Sequence, residues 1–134
     1  MKERLYPADS IRAVVLGVGV NDCRPGGESQ MRDRLLHLKT ALREAYPQAS
    51  VFHVEAPAEK RSRQERECVE QVNRLAREVY SQIRFRPSVV GKGDPHYSKT
   101  ERMALARVVL GALRKNVAGL RGVPADPWAP GSKR

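Results

Sequence analysis

Residues 11–23, IRAVVLGVGVNDC, decide how this chain is read. Positions 14–18 form a valine-rich apolar run, the pattern of a buried strand. Gly17 and Gly19 follow within the same stretch, and glycine lets a backbone turn tightly or come close to a ligand. Asn21 and Asp22 then stand where the strand ends. Ligands of open α/β sheets collect at the carboxyl ends of strands. An asparagine there can donate through its amide to a developing negative charge. Asn-Asp also suits the opening of a turn. The local residues leave both readings open.

Outward from that strand the chain alternates in pattern. CRPGGESQ, residues 23–30, is a polar loop with Ser29 as a candidate helix cap. Met31, Leu35, Leu38, Leu42 and Ala45 recur at helical spacing and predict an amphipathic helix over 30–46, stopped by Pro47. Residues 50–54 read as a short strand, closed by Ala56-Pro57-Ala58. Val69, Val72, Leu75, Ala76 and Val79 predict a second helix over 63–81, with the charged flank EKRSRQERE facing water. In 83–90, Arg84 and Arg86 alternate with Ile83 and Phe85 while Pro87 interrupts, which reads as a short strand near an edge. Met103, Ala106, Leu110 and Leu113 predict a last helix over 100–117. The tail GVPADPWAPGSKR is Pro-rich, and its Trp128 can anchor it on the body or on a partner. Strands separated by helices imply parallel pairing with helical crossovers.

The last helix is preceded by a second informative stretch, GKGDPHYSKTERMALARVVLGAL, in which Asp94 and His96 lead into the helical run. Together the two segments resemble the SGNH, or GDSL-like, hydrolase superfamily. One block of that family is a strand ending in Gly-x-Asn-Asp, matched by Gly19-Val20-Asn21-Asp22. Its last block is an Asp-x-x-His loop followed by Ser or Thr and a C-terminal helix, echoed here by Asp94, His96 and Ser98. The middle of such a domain is echoed by a helix ending in AYPQASVFHVEAP and a helix containing Asn73. The likeness covers residues 7–117, and similar domains occur in the open reading frames of some retroelements.

The resemblance implies an α/β fold: a three-layer, mostly parallel, flavodoxin-like sheet. That sheet is incomplete, because two further strands precede this portion in the family. It implies a partial domain over 1–118 and a Pro-rich tail over 119–134. By the same likeness His96 is a general base, Asp94 orients its imidazole, and Asn21 with Gly19 donates to a tetrahedral oxyanion. The implied substrate is an ester, acyl or acetyl, with no cofactor and no metal.

Two departures qualify that chemistry. The family's nucleophilic serine lies in a Gly-Asp-Ser block after an earlier strand, and no such block is present. Ala8-Asp9-Ser10 echoes it, yet Ser10 runs straight into the strand that ends at Asn21, so it is rejected as the nucleophile. In the last block, the position three residues before His96 is Gly93, and Asp94 is only two away. Asp-Pro-His-Tyr-Ser also reads as an ordinary loop, with Ser98 or Thr100 capping the helix that follows and Tyr97 packing against it.

At 134 residues the chain suits one domain with modest burial. It has no apolar run of the roughly 20 residues that cross a bilayer, and its basic start is not followed by a signal-peptide core. Cytoplasmic or nuclear residence is the expected default. Cys23 and Cys68 form no CxxC element, and His37, His53 and His96 share no ligand spacing, so neither a disulfide framework nor a zinc site is expected. Cys68 reads as a small buried helix residue.

Lys and Arg total 25 against 15 acidic residues, a net charge of +10. That excess favours nucleic acid, an acidic protein or another anionic surface. No zinc finger, aromatic-rich RNA motif or recognition helix accompanies it, so any nucleic-acid contact is expected to be non-specific. Two functions therefore stand: an SGNH-like ester hydrolase fragment or degenerate homologue, inactive alone for lack of a serine, and a non-catalytic basic interaction domain. In either, the strand at 14–18 would present an apolar open edge, which calls for the rest of a longer protein, a complementary chain or a homo-oligomer to cover it. A membrane partner is not expected.

Overall fold

Strands and helices alternate along the residues that the computed structural model describes, namely 7–19, 23–24, 26–58, 62–85 and 98–120. After a 3-10 turn at Ala8–Ser10 come β1 (Ala13–Leu16), α1 (Glu28–Ala45), β2 (Ser50–Val54), α2 (Arg63–Val79), β3 (Ser81–Ile83) and α3 (Lys99–Asn116). The strands form one parallel sheet in the order β1-β2-β3. Its register pairs Ala13 with Ser50 through Leu16 with His53, then Phe52 with Ser81 through Val54 with Ile83. This is an α/β architecture compatible with part of a flavodoxin-like sheet.

The strand pleat sorts side chains onto two faces. Leu16 and Val51 meet α1 and α2 on one face, in a core of Met31, Leu35, Val72, Leu75, Ala76, Val79 and Tyr80. Ala13, Phe52, Val54 and Ile83 meet α3 on the other, with Val109, Ala112, Leu113 and Val117. The sheet therefore lies between two helical layers. All five apolar positions read from the α2 sequence are buried.

Helix ends follow local chemistry. The Ser62 side chain accepts from Glu65 N–H while Glu65 reaches back to Ser62 N–H, and Ser98 and Glu101 repeat this box at α3. At α1 the sequence expectation fails. Gly27, not Ser29, is the N-cap, without a side-chain hydrogen bond. The helix begins at Glu28, two residues before the expected start at 30, because Glu28 is held from the neighbouring helix. Its carboxylate meets Arg74 at 3.2 Å and Arg32 at 3.5 Å, and accepts from Gln71 at 3.3 Å. These partners, Arg74 first, hold the Glu28 carboxyl below its usual range. Lys39 donates to Val79 O at 2.9 Å, a cation at the carbonyl end of α2. The Tyr80 hydroxyl donates to Leu35 O at 2.5 Å, and burial pushes that phenol up.

Two further expectations are corrected. The apolar run of 14–18 is not a buried strand: β1 is shorter, and Val15 and Val18 are 38% and 39% exposed. The reason is its place at the edge of the sheet, since among the described residues β1 pairs only with β2. The cysteines also differ from expectation, because Cys23 and Cys68 form a disulfide with a Cα–Cα distance of 5.9 Å. Partners separated by 45 residues leave no local spacing signal; the chain leaving β1 simply crosses the flank of α2. The third strand is likewise shorter and earlier than read, at Ser81–Ile83, and residues 86–90 lie outside the described set. No described helix is long and apolar enough to cross a membrane.

Candidate functional site

The carboxyl ends of β1 and β2 form the rim on which the sequence placed its site. Gly19 is where the chain leaves β1, and its backbone has φ +108, a conformation that side chains rarely adopt. A Cβ there would stand 2.8 Å from Val72 Cγ1, inside the wall of α2. Both turn geometry and close approach therefore require glycine at 19. At Gly17 neither does.

Three contacts fix this exit. His53, fully buried on β2, has Nε2 3.0 Å from Val18 O. A carbonyl only accepts, so Nε2 carries the proton, and Nδ1 takes a hydrogen bond from Gln82 Nε2 at 3.2 Å. The imidazole stacks on Tyr80 at 6.4 Å. Gly19 seats against Val72, and four residues later Cys23 is tied to Cys68, one helical turn before Val72. Gly19 and Cys23 are thus both held against α2. Asn21 and Asp22 themselves lie outside the described residues, as do Asp94, His96 and Tyr97.

What the described residues do place is the helix that Asp94 and His96 lead into. Leu105 of α3 lines a small apolar cavity of about 250 Å³ with Gly17, Val18, Val54, Glu55 and Pro57. The amino-terminal half of α3 therefore sits at the carboxyl ends of β1 and β2. Ser98, read as a cap candidate, is the cap.

A larger cavity, about 710 Å³, opens on the α2 side of the same rim. Its walls include Glu55, Ala56, Asn73, Arg74, Arg77 and Phe85. Asn73 is the clamp of this region: its Oδ1 accepts from Ala56 N at 2.9 Å and its Nδ2 donates to Ala56 O at 3.1 Å. A side-chain amide that matches both backbone groups of one residue fixes the chain as it leaves β2. Glu55 was missed in the sequence. The signal was parity, for Val51, His53 and Glu55 alternate onto the same face of the strand. Among the described residues no group of three potential ligands could hold a metal ion.

No protein-family model matches the chain, and no curated protein or solved structure matches it either.

Proposed function

We propose that this chain is a partial or degenerate SGNH-like hydrolase domain, which keeps the scaffold and supplies no nucleophile of its own. The observation that supports this most is the seat of α3. Leu105 beside Gly17 and Val18 brings the helix that follows Asp94 and His96 next to the strand that leads into Asn21. The β1-β2-β3 order fits a sheet whose first two family strands would add along the open edge of β1. In this reading Asn21 and the Gly19 N–H donate to an oxyanion, His96 takes the proton of a serine hydroxyl, and Asp94 orients the imidazole. The serine comes from outside these 134 residues, on the preceding strands of a longer chain or on a complementary chain at that edge; a second copy of this chain would cover the edge without supplying one.

The test is geometric. Proton cross-relaxation should connect the His96 ring with the segment around Asn21 and with Asp94. If His96 instead contacts the amino-terminal ends of the strands, near Ile11 and Ala49, the assignment of roles is wrong.

The charge supports a second reading, a basic interaction domain. Along α3, Lys99, Arg102, Arg107, Arg114 and Lys115 face one acid, Glu101, which is buried at the cap. Binding to single-stranded nucleic acid at low salt is expected, with log K falling against log salt at a slope of roughly −3 if four or five phosphates are neutralised. No binding at low ionic strength would remove this reading. Cytoplasmic or nuclear residence goes with it, and in those reducing compartments the Cys23–Cys68 pair would be exposed to thiol exchange.

A further inference from the structure

Glu55 is a carboxylate in an unusual position. It follows β2, the central strand, on the α2 side, and only 5% of it is exposed. Its backbone N–H is used, donating to Ile83 O at 3.0 Å. Its carboxylate has no hydrogen-bond or ion-pair partner among the described residues. A carboxylate without a protein partner that still reaches open space can meet a cation there. Glu55 also lines both cavities of the rim, so the space beside it is open to a ligand.

A second charge, on an exposed side chain, lines the larger cavity. Arg77 stands one helical turn beyond Asn73, whose amide holds the residue next to Glu55. Its Nε makes a long 3.4 Å bond to Asn73 O, and it has no ion pair among the described residues. By contrast, Arg74 is already committed to Glu28, and Glu67 to Arg63. Glu55 and Arg77 line one cavity without pairing with each other. Phe85, 9% exposed, and Ala56 give that cavity an apolar wall.

We propose that the 710 Å³ cavity is a binding site for a small zwitterion of the α-amino-acid class, whose ammonium meets Glu55, whose carboxylate meets Arg77 and whose apolar side chain lies on Phe85. A buried acid suits a cation and a guanidinium suits a carboxylate, which it can hold through two parallel hydrogen bonds. A ligand carrying one charge would leave the other group without a partner. The site lies on the α2 side of the rim and uses none of the residues assigned to ester chemistry, so it stands or falls independently of that role.

Three probes with a common stem separate the contributions: L-norleucine carries both charges, n-pentylamine only the cation and hexanoate only the anion. Amide shifts of Glu55, Ala56 and Phe85 are followed in the whole chain with its disulfide intact. L-norleucine is expected to bind at least about tenfold more tightly than either singly charged probe, the effect of one charge-assisted hydrogen bond. Glu55→Gln and Arg77→Gln should each weaken L-norleucine about tenfold or more while leaving the thermal midpoint within a few degrees or raising it. Arg77 is exposed, so its variant tests the site even if Glu55→Gln alters folding. The proposal is overturned if L-norleucine causes no shifts at about 50 mM, a concentration that detects even millimolar affinity. It is equally overturned if pentylamine or hexanoate binds as tightly, or if both variants bind L-norleucine like the parent.

Discussion

Reduction of the Cys23–Cys68 disulfide is expected to lower the unfolding free energy by about 4 kcal/mol, the chain-entropy value for a loop closed across 45 residues. The bridge joins the segment after β1 to α2, so its loss loosens the edge strand before the helical core. Urea unfolding with and without reductant measures this directly, with Cys23→Ala and Cys68→Ala as reductant-independent controls. A reduced protein with an unchanged midpoint would mean that the bridge contributes nothing to the fold in solution. The bridge also bears on the candidate site. It ties Cys23 to α2 four residues after Gly19, so reduction should speed amide exchange at Gly19 and Cys23 more than in α1.

Leu75→Ala should destabilise by about 3 kcal/mol, within the usual range of 2–5 for a fully buried leucine. Leu75 is completely inaccessible, in a cluster with Met31 and Leu35 of α1 and with Leu16 and Val51 of the sheet. Leu36→Ala is the internal comparison. Leu36 is 45% exposed on α1, and its loss should cost less than about 1 kcal/mol. Denaturant midpoints of the two variants test whether α2 packs by the face that its sequence pattern indicated. Equal losses at 36 and 75 would contradict that packing.

The parts of the fold legible in the sequence were those written locally. The α2 stripe at 69, 72, 75, 76 and 79 repeats at helical spacing, and each of these residues is buried. Strand 50–54 was bounded correctly because Pro47 stops the preceding helix and Pro57 follows the strand. What went astray depended on neighbours remote in sequence. The valine run was read as a buried strand although the family likeness already put it at an open edge; the edge position holds among the described residues and leaves Val15 and Val18 partly exposed. Ser29 looked like a cap because nothing nearby reveals that Glu28 is held by Arg74 on another helix. The cysteine pairing was hidden for the same reason.

The candidate site divides along a similar line. Gly17 and Gly19 were read as letting the backbone turn tightly or approach a ligand; at Gly19 the φ and the seat against Val72 require glycine, and at Gly17 neither does. His53 and Glu55 passed unnoticed within VFHVEAP, since a buried histidine or glutamate looks in one dimension like any polar residue in a strand. Asn21, Asp94 and His96 rest on motif resemblance and lie outside the described residues.

Hydrolysis of p-nitrophenyl acetate by the intact chain and by its His96→Ala variant, measured side by side at neutral pH, tests the central claim most directly. With a scaffold but no nucleophile, the two should run at the same rate, close to the uncatalysed background. A clear esterase rate in the parent that His96→Ala abolishes would contradict the account and require a nucleophile within these 134 residues.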